Sequence, residues 1–106
     1  MAALVNLALV GDYRASAVAH QAIPLAIDRA AAHLGAAVSF RWLSTDQLGD
    51  LGAVKESDAV WVVPGSPYKN DEAVFKTIRW AREQQLPFLG SCGGFQYAVI
   101  EYARNV

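Results

Sequence analysis

The segment with the clearest chemical potential is the run Gly-Ser-Cys-Gly-Gly-Phe-Gln over residues 90–96. Its cysteine, Cys92, is the only one in the chain, and Gly90 and Gly94 stand two positions to either side of it. A sharp strand-to-helix turn pushes its central side chain out of the sheet edge, and side chains at the flanking positions would collide there. The amide groups that begin the following helix favour the thiolate, which is the reactive form of cysteine. We therefore expect Cys92 to be a nucleophile and Gly90 and Gly94 to be structural turn residues.

The rest of the chain alternates between strand and helix patterns that could present this turn. The predicted strands are residues 4–10, 36–43, 58–64 and 86–90, and the predicted helices are residues 15–34, 70–85 and 95–105. Short apolar runs closed by glycine or proline are typical of strands buried on both faces, whereas the polar alternation in residues 36–43 indicates an edge strand. A single helical turn is expected at residues 47–51.

This alternation predicts a three-layer α/β fold, with a flavodoxin-like parallel sheet in the order 2-1-3-4 and helices on both faces. Residues 1–106 are enough for one small domain. Binding sites in such sheets form at the carboxyl ends of the strands. Gly11-Asp12, Gly65-Ser66 and Cys92 all follow predicted strands, so we expect them to converge on one crevice.

The first predicted helix contains a proline and both histidines of the chain, His20 and His33. Pro24 conflicts with an unbroken helix, because it lacks an N–H and clashes with the preceding turn. Either the helix kinks at Pro24, which we favour, or its main segment begins there. We expect surface or capping roles for the two histidines rather than catalytic ones.

Three further groups of residues have simple structural interpretations. Asp12 and Tyr13 are expected to be turn residues. On the predicted helix at residues 70–85, Arg79, Arg82 and Glu83 are expected to form a solvated face. Phe95, Val99 and Tyr102 share one apolar face of the last predicted helix.

The composition argues against several classes of function. The formal net charge is -1 and no basic cluster adjoins exposed aromatic residues, so nucleic acid is not an expected partner. One cysteine excludes an internal disulfide and a multi-cysteine metal site, and no metal or cofactor is predicted. Residues 1–10 lack the basic start of a signal peptide, and no apolar run reaches the roughly 18 residues of a membrane span. We expect a cytoplasmic protein with no membrane segment.

Residues 90–96 match the Gly-x-Cys-x-Gly-x-Gln motif, and the chain resembles the class I glutamine amidotransferases. Residues 87–90 (Pro-Phe-Leu-Gly) and 98–106 (Ala-Val-Ile-Glu-Tyr-Ala-Arg-Asn-Val) make it similar to the C-terminal glutaminase region of CTP synthases. Residues 9–13 resemble that region's first strand and turn, and Val63-Pro64-Gly65 resembles its Pro-Gly-Gly loop. The resemblance covers residues 4–106.

The resemblance implies that the chain hydrolyses glutamine as part of pyrimidine biosynthesis. Cys92 would attack the side-chain amide, release ammonia and form a thioester that water hydrolyses. The implied oxyanion hole is Gly93, Gly65 and Ser66, and the implied substrate-binding residues are Gln96 and Tyr68. A synthetase chain that accepts ammonia would be a partner, and the resemblance leaves homo-oligomerisation open.

The sequence departs from the family pattern at three points. Ser66, followed by Pro67, stands where the family has the loop's second glycine; residues 1–106 include no synthetase domain; and the family's catalytic His and Glu would fall beyond residue 106. We therefore expect a partial amidotransferase domain with an incomplete triad. Two alternatives stay open: a catalytically inactive binding or regulatory module on the same fold, and a DJ-1/PfpI-like thiol hydrolase or redox protein.

Overall fold

The apolar run at the start of the chain forms the inner strand β1 (Leu4–Val10), and a computed structural model describes residues 4–106 around it. The other strands are β2 (Ala37–Leu43), β3 (Ala59–Val62) and β4 (Phe88–Gly90), and the helices are α1 (Val18–Leu34), α2 (Gly52–Lys55), α3 (Asp71–Glu83) and α4 (Gly93–Asn105). Residues 1–3 lie outside the described part. They include the start of the segment, residues 1–10, in which we expected no signal peptide.

The four strands form one parallel sheet in the order β2-β1-β3-β4. Residues Leu4 to Val10 pair with Ala37 to Leu43 on one side, and Leu7 to Val10 pair with Ala59 to Val62 on the other. The predicted α/β class, flavodoxin-like architecture and strand order are therefore confirmed, with β2 at an edge as expected.

Alternate side chains of the inner strands build two separate apolar layers. On one face, Leu9 and the buried Val63 pack against Ile23 and Ile27 of α1. The opposite face carries a larger cluster beneath α2 and α3. Its members include Ala8, Val10, Val54, Val60, Val62, Val74 and Ile78. These two layers place α1 on one face and α3 on the other.

Two local features in the first half of the chain test the sequence-based expectations. Helix α1 begins at Val18 and Pro24 lies inside it, so the less favoured alternative, in which Pro24 opens the main segment, is wrong. The expected turn at residues 47–51 is replaced by a 3₁₀ turn at Thr45–Gln47 and by α2, because Leu48 and Leu51 between them are buried. Gly35 ends α1 in a left-handed conformation, as glycine permits after a helix.

Helix α4 buries a different face from the one its apolar residues suggest. Phe95, Val99 and Tyr102 are exposed by 60%, 54% and 57% in the described part of the chain. The buried positions are instead Gly93, Gly94 and Glu101. Glycine at this contact lets the helix backbone approach β3 closely, and Tyr97 and Ala98 pack against the core from the same helix.

The prediction that α3 carries a solvated charged face is correct for Arg79 and Glu83 and wrong for Arg82. Arg79 and Glu83 form an exposed pair one helical turn apart. The guanidinium of Arg82 instead donates to both carboxylate oxygens of Glu101, at 2.8 and 2.9 Å, and Glu101 is only 1% exposed. Those hydrogen bonds hold the pKa of Glu101 below its ordinary value against the opposing effect of burial. The pair joins α3 to α4.

Candidate active site

Cys92 lies at the junction between β4 and α4 in a backbone conformation that side chains rarely adopt. Its φ and ψ are 53° and -111°, and its thiol is free and exposed. Strain of this kind costs about 1–3 kcal/mol and persists only where the surrounding structure holds it in place. The junction presents the sulfur at the carboxyl edge of the sheet.

The glycines around Cys92 are surrounded by atoms that leave no room for a side chain. A Cβ on Gly94 would overlap the backbone carbonyl oxygen of Val62, and one on Gly90 would lie 2.8 Å from the carbonyl group of Gly94. A Cβ on Gly93 would come within 2.8 Å of the Ser66 side chain. The turn is therefore packed against β3 and against the loop that follows β3.

Some backbone N–H groups of the turn and of the loop after β3 form no hydrogen bond in the described part of the chain. The N–H of Gly94 donates to Ser91 and that of Gln96 donates to Cys92, at 3.0 and 3.1 Å. Within residues 4–106, no hydrogen bond uses the N–H groups of Gly93, Gly65 or Ser66. Since the Ser66 side chain contacts Gly93, the structure brings together the loop and the turn that were predicted to form an oxyanion hole.

Tyr68 stabilises the loop after β3 through a buried hydrogen bond. It is only 5% exposed, and its hydroxyl donates to the carbonyl of Val63 at 2.7 Å. Burial raises the pKa of Tyr68, and neighbouring groups that become negative on ionisation, Tyr97 and Cys92 among them, raise it further. The hydroxyl also lies 3.0 Å from the position of a Cβ on Gly93. Direct contact between Tyr68 and a substrate stays a prediction.

Asp71 connects the same loop to α4. Its Oδ1 accepts hydrogen bonds from the N–H of Tyr68, at 2.9 Å, and from the hydroxyl of Tyr97, at 2.8 Å. Burial, and then the bond to Asp71, raises the pKa of Tyr97 to about 12. Because Asp71 holds both partners at once, it sets the position of the loop relative to the helix that begins after Cys92.

A second support lies on the strand side of the turn. The indole N–H of Trp61, on β3, donates to the hydroxyl of Ser91 at 2.9 Å. Ser91 directly precedes Cys92, so this bond fixes the residue before the thiol. The sequence pattern predicted neither this contact nor the bond between Asp71 and Tyr97, because these join residues 30 and 26 positions apart.

Asp12 ties together three loops at the carboxyl edge. Its carboxylate accepts hydrogen bonds from the N–H and hydroxyl of Thr45, the hydroxyl of Ser44 and the N–H of Lys69. Partial burial raises the pKa of Asp12, but the combined hydrogen bonds outweigh that effect and hold it below its ordinary value. Asp12 therefore has a structural role in the loop after β1.

The prediction of a surface or capping role is wrong for His20, which is 1% exposed. Its Nδ1 accepts from the N–H of Arg14 at 2.9 Å, so its Nε2 carries the proton and donates to the carbonyl of Pro64 at 2.6 Å. Both ring nitrogens are therefore occupied. His33 lies in the last turn of the 17-residue α1, about 22 Å along that helix from its start near the site edge.

The arrangement can hold a thiol nucleophile beside free amide donors, but neither histidine is placed as its base. Gln96 is exposed in the first turn of α4, where its role as a substrate contact stays a prediction. Among residues 4–106, no cluster of metal-ligating side chains occurs. The helices in that part of the chain also include none with the length and apolarity to cross a membrane.

Comparisons with known proteins agree on one family. The family model "Glutamine amidotransferase class-I" matches residues 19–106. CTP synthases from Synechococcus sp. (strain RCC307) and Haloarcula marismortui are 40% and 39% identical to 95% and 96% of the chain. The CTP synthase of Methanopyrus kandleri is 39% identical over 107 aligned residues. The chain spans about a fifth of the length of these relatives, 19% to 20%.

One solved structure extends the comparison to the fold. The Trypanosoma brucei CTPS glutaminase domain with bound acivicin superimposes with a TM-score of 0.83 at 23% sequence identity. The match covers 96% of this chain and 41% of that chain. The likeness supports the flavodoxin-like architecture described above.

Proposed function

The chain belongs to the class I glutamine amidotransferase family and is related to the glutaminase domain of CTP synthases, and from this premise we propose that Cys92 attacks glutamine. The observation that carries the proposal is the conformation of Cys92, whose exposed thiol stands in a strained turn next to free amide donors. In this proposal, residues 1–106 are part of a single amidotransferase domain.

The reaction has two stages. The thiolate sulfur of Cys92 forms a bond to the side-chain carbonyl carbon of glutamine, and the carbon–nitrogen bond then breaks as the nitrogen takes up a proton and leaves as ammonia. The remaining glutamyl thioester is cleaved by water to glutamate, which returns the thiol. Both stages pass through a tetrahedral species in which the carbonyl oxygen is negatively charged.

The chain contributes charge stabilisation to both stages. The N–H of Gly93 belongs to the turn, and those of Gly65 and Ser66 belong to the loop that contacts it. Preorganised amides of this kind bind the developing oxyanion without having to reorganise. Pro67 has no N–H, so Gly65 and Ser66 supply all the amide donors at the centre of that loop. Gln96 and Tyr68 are proposed to contact the bound glutamine.

Proton transfer requires a group other than the two histidines. His20 has no free nitrogen, because it accepts from Arg14 and donates to Pro64. His33 lies near the far end of α1. We propose that efficient turnover needs a base supplied from outside residues 1–106, in accordance with the incomplete triad expected from the sequence.

The relatives suggest what receives the ammonia. Since their names describe CTP synthases, we propose that the ammonia passes to a synthetase domain or chain and that the protein serves pyrimidine biosynthesis in the cytoplasm. Glutamine is then the small-molecule substrate. The oligomeric state is independent of this proposal.

The proposal is tested by covalent labelling with acivicin, the compound bound in the Trypanosoma brucei domain. The chain is incubated at about pH 9, where an ordinary cysteine of pKa about 8.5 forms thiolate without a base. Intact-mass measurement is expected to show one adduct, which peptide mapping assigns to Cys92. Cys92→Ser is the control and should give none. Failure of acivicin to label a thiol that iodoacetamide still alkylates would contradict the proposal.

Because both nitrogens of His20 are engaged, it cannot act as a base. This observation favours a second candidate function, a module that binds glutamine without hydrolysing it. The two candidates differ in the reactivity of Cys92. Ammonia formation from glutamine that disappears in Cys92→Ala would reject the inactive module. Glutamine binding by a chain in which acivicin does not label Cys92 would support it.

A further inference from the structure

A concave site lies beside the Cys92 turn but does not include Cys92. The cavity has a volume of about 490 Å³ and sits between the loop after β1, the end of β2 and the loop after β3. Its size falls within the range of about 300–1,000 Å³ that is common for small-molecule sites. It lies where the connections from β1 and β3 depart in opposite directions, the place at which open α/β sheets bind ligands.

The cavity is lined by two cations with no anionic partner in the described part of the chain. Arg14 and Lys69 reach it from opposite loops, and neither belongs to an ion pair among residues 4–106. One carboxylate, that of Asp12, also lines the cavity, but the hydrogen bonds from Thr45, Ser44 and Lys69 already occupy it. The cavity therefore retains a net positive charge.

Aromatic rings form another part of the wall. Tyr13 is 53% exposed and packs edge-on against Trp42, with ring centroids 4.7 Å apart. Such rings bind a flat ligand ring by stacking or edge contact. Gln47, also in the lining, is exposed on the 3₁₀ turn, and its side-chain amide has no hydrogen-bond partner within residues 4–106. An amide can both donate to and accept from polar atoms at a ring edge.

The walls are held rigidly by backbone contacts that do not involve the side chains facing the cavity. The N–H of Arg14 donates to His20, and the N–H of Lys69 donates to Asp12. His20 in turn lies below Tyr13 and Trp42, with ring centroids 5.9 and 5.1 Å away. The two cationic side chains are thus attached to fixed backbone and remain free to bind.

We propose that this cavity binds a small aromatic anion, a compound with one planar ring and a phosphate group. The ring lies against Tyr13 and Trp42, and the phosphate is bound by Arg14 and Lys69, since phosphate accepts charge-assisted hydrogen bonds from both side chains. The inference does not depend on the nucleophilic role of Cys92, which is not in the lining.

The test uses phenyl phosphate as the probe and the ¹H–¹⁵N correlation spectrum of the chain as the readout. Phenyl phosphate is expected to shift the indole N–H signal of Trp42 and the backbone amides of Arg14 and Lys69 in a saturable manner. Inorganic phosphate and phenol, which carry only one half of the probe each, should bind at least about tenfold more weakly. That difference corresponds to one lost charge-assisted or stacking contact.

Matched variants distinguish binding in the cavity from a general effect of positive charge on the probe. Arg14→Gln and Lys69→Gln keep the backbone bonds and are expected to weaken phenyl phosphate binding about tenfold each. Lys55→Gln, an exposed lysine outside the cavity, should leave binding unchanged. The proposal is rejected by an absence of saturable shifts, by equal binding of inorganic phosphate, or by affinity unaltered in both cavity variants. Shifts confined to Gly93 and Gln96 would also reject it, because they would place the probe at the Cys92 turn.

Discussion

At the scale of single residues, the candidate site depends on backbone rather than on side chains. Cys92 adopts a φ of 53°, and the glycines beside it let the chain pass within contact distance of β3 and of Ser66. The amides so positioned are the proposed oxyanion donors. The turn glycines Gly90 and Gly94 could be predicted from the Gly-x-Cys-x-Gly spacing, because only glycine fits such close approaches, whereas the donors themselves were implied by the family resemblance.

Gly94→Ala tests this backbone contact. The added methyl group would overlap the carbonyl oxygen of Val62, so we expect a loss of about 3 kcal/mol in the free energy of unfolding, although alanine is a better helix former. Urea denaturation measures it. Gly49→Ala is the matched control, since Gly49 has a positive φ and open space around it; about 1 kcal/mol is expected there. Equal losses in both variants would show that no close contact exists at Gly94.

Asp12→Asn tests the carboxylate that joins three loops. Above pH 6 we expect a loss of about 1–2 kcal/mol, limited because the group is partly exposed. The pKa of Asp12 is lowered by folding, so its contribution is present above the unfolded value of about 4 and is lost as the pH falls through the folded value. The variant and the wild type should therefore converge in acid.

The measurement for Asp12 is a series of urea unfolding curves between pH 3 and pH 7. Asp28→Asn, on the exposed face of α1, is the control and should follow the wild type at every pH. A constant difference between Asp12→Asn and the wild type across the whole range would contradict a role for the ionised carboxylate.

At the scale of elements, α4 is positioned by polar contacts as much as by apolar packing. The pair between Arg82 and the buried Glu101 joins it to α3, and Tyr97 joins it through Asp71 to the loop after β3. A helix that begins directly after the thiol must be fixed along its length if its first amides are to stay in place.

Glu101→Gln tests this anchor against a matched surface pair. Loss of the charge leaves a buried amide facing Arg82, and we expect the midpoint of thermal unfolding to fall by about 5 °C or more. Glu83→Gln breaks the exposed pair with Arg79 and should cost less than about 0.5 kcal/mol. Circular dichroism on both variants gives the comparison. If Glu83→Gln proved as costly as Glu101→Gln, the anchoring role would be wrong.

The elements themselves were largely predictable. Apolar runs closed by glycine or proline placed three of the strands, and the alternating pattern in residues 36–43 placed β2. Asn70 caps α3, accepting from the N–H of Ala73 at 3.0 Å. The burial of His20 and Glu101 was not predictable, because their partners lie 44 and 19 positions away in sequence. Polar residues are usually exposed, and only the tertiary structure shows which of them have buried partners.

At the scale of the whole molecule, the parallel sheet gathers the loops after β1, β3 and β4 at one edge. This convergence follows from strand order alone, and the sequence predicted it through Gly11-Asp12, Gly65-Ser66 and Cys92. The sequence did not predict that the edge holds two separate features, the Cys92 turn and the cationic cavity beside Tyr13 and Trp42. Their separation depends on how the loop at Gly65 to Lys69 folds between them.

The central claim, that Cys92 is a nucleophile directed at glutamine, is tested most directly by protection of the thiol. The rate at which acivicin labels Cys92 is measured at about pH 9 with increasing L-glutamine, and D-glutamine serves as the control. We predict that L-glutamine slows labelling in a saturable manner and that D-glutamine does not. A labelling rate that neither enantiomer changes would contradict the claim.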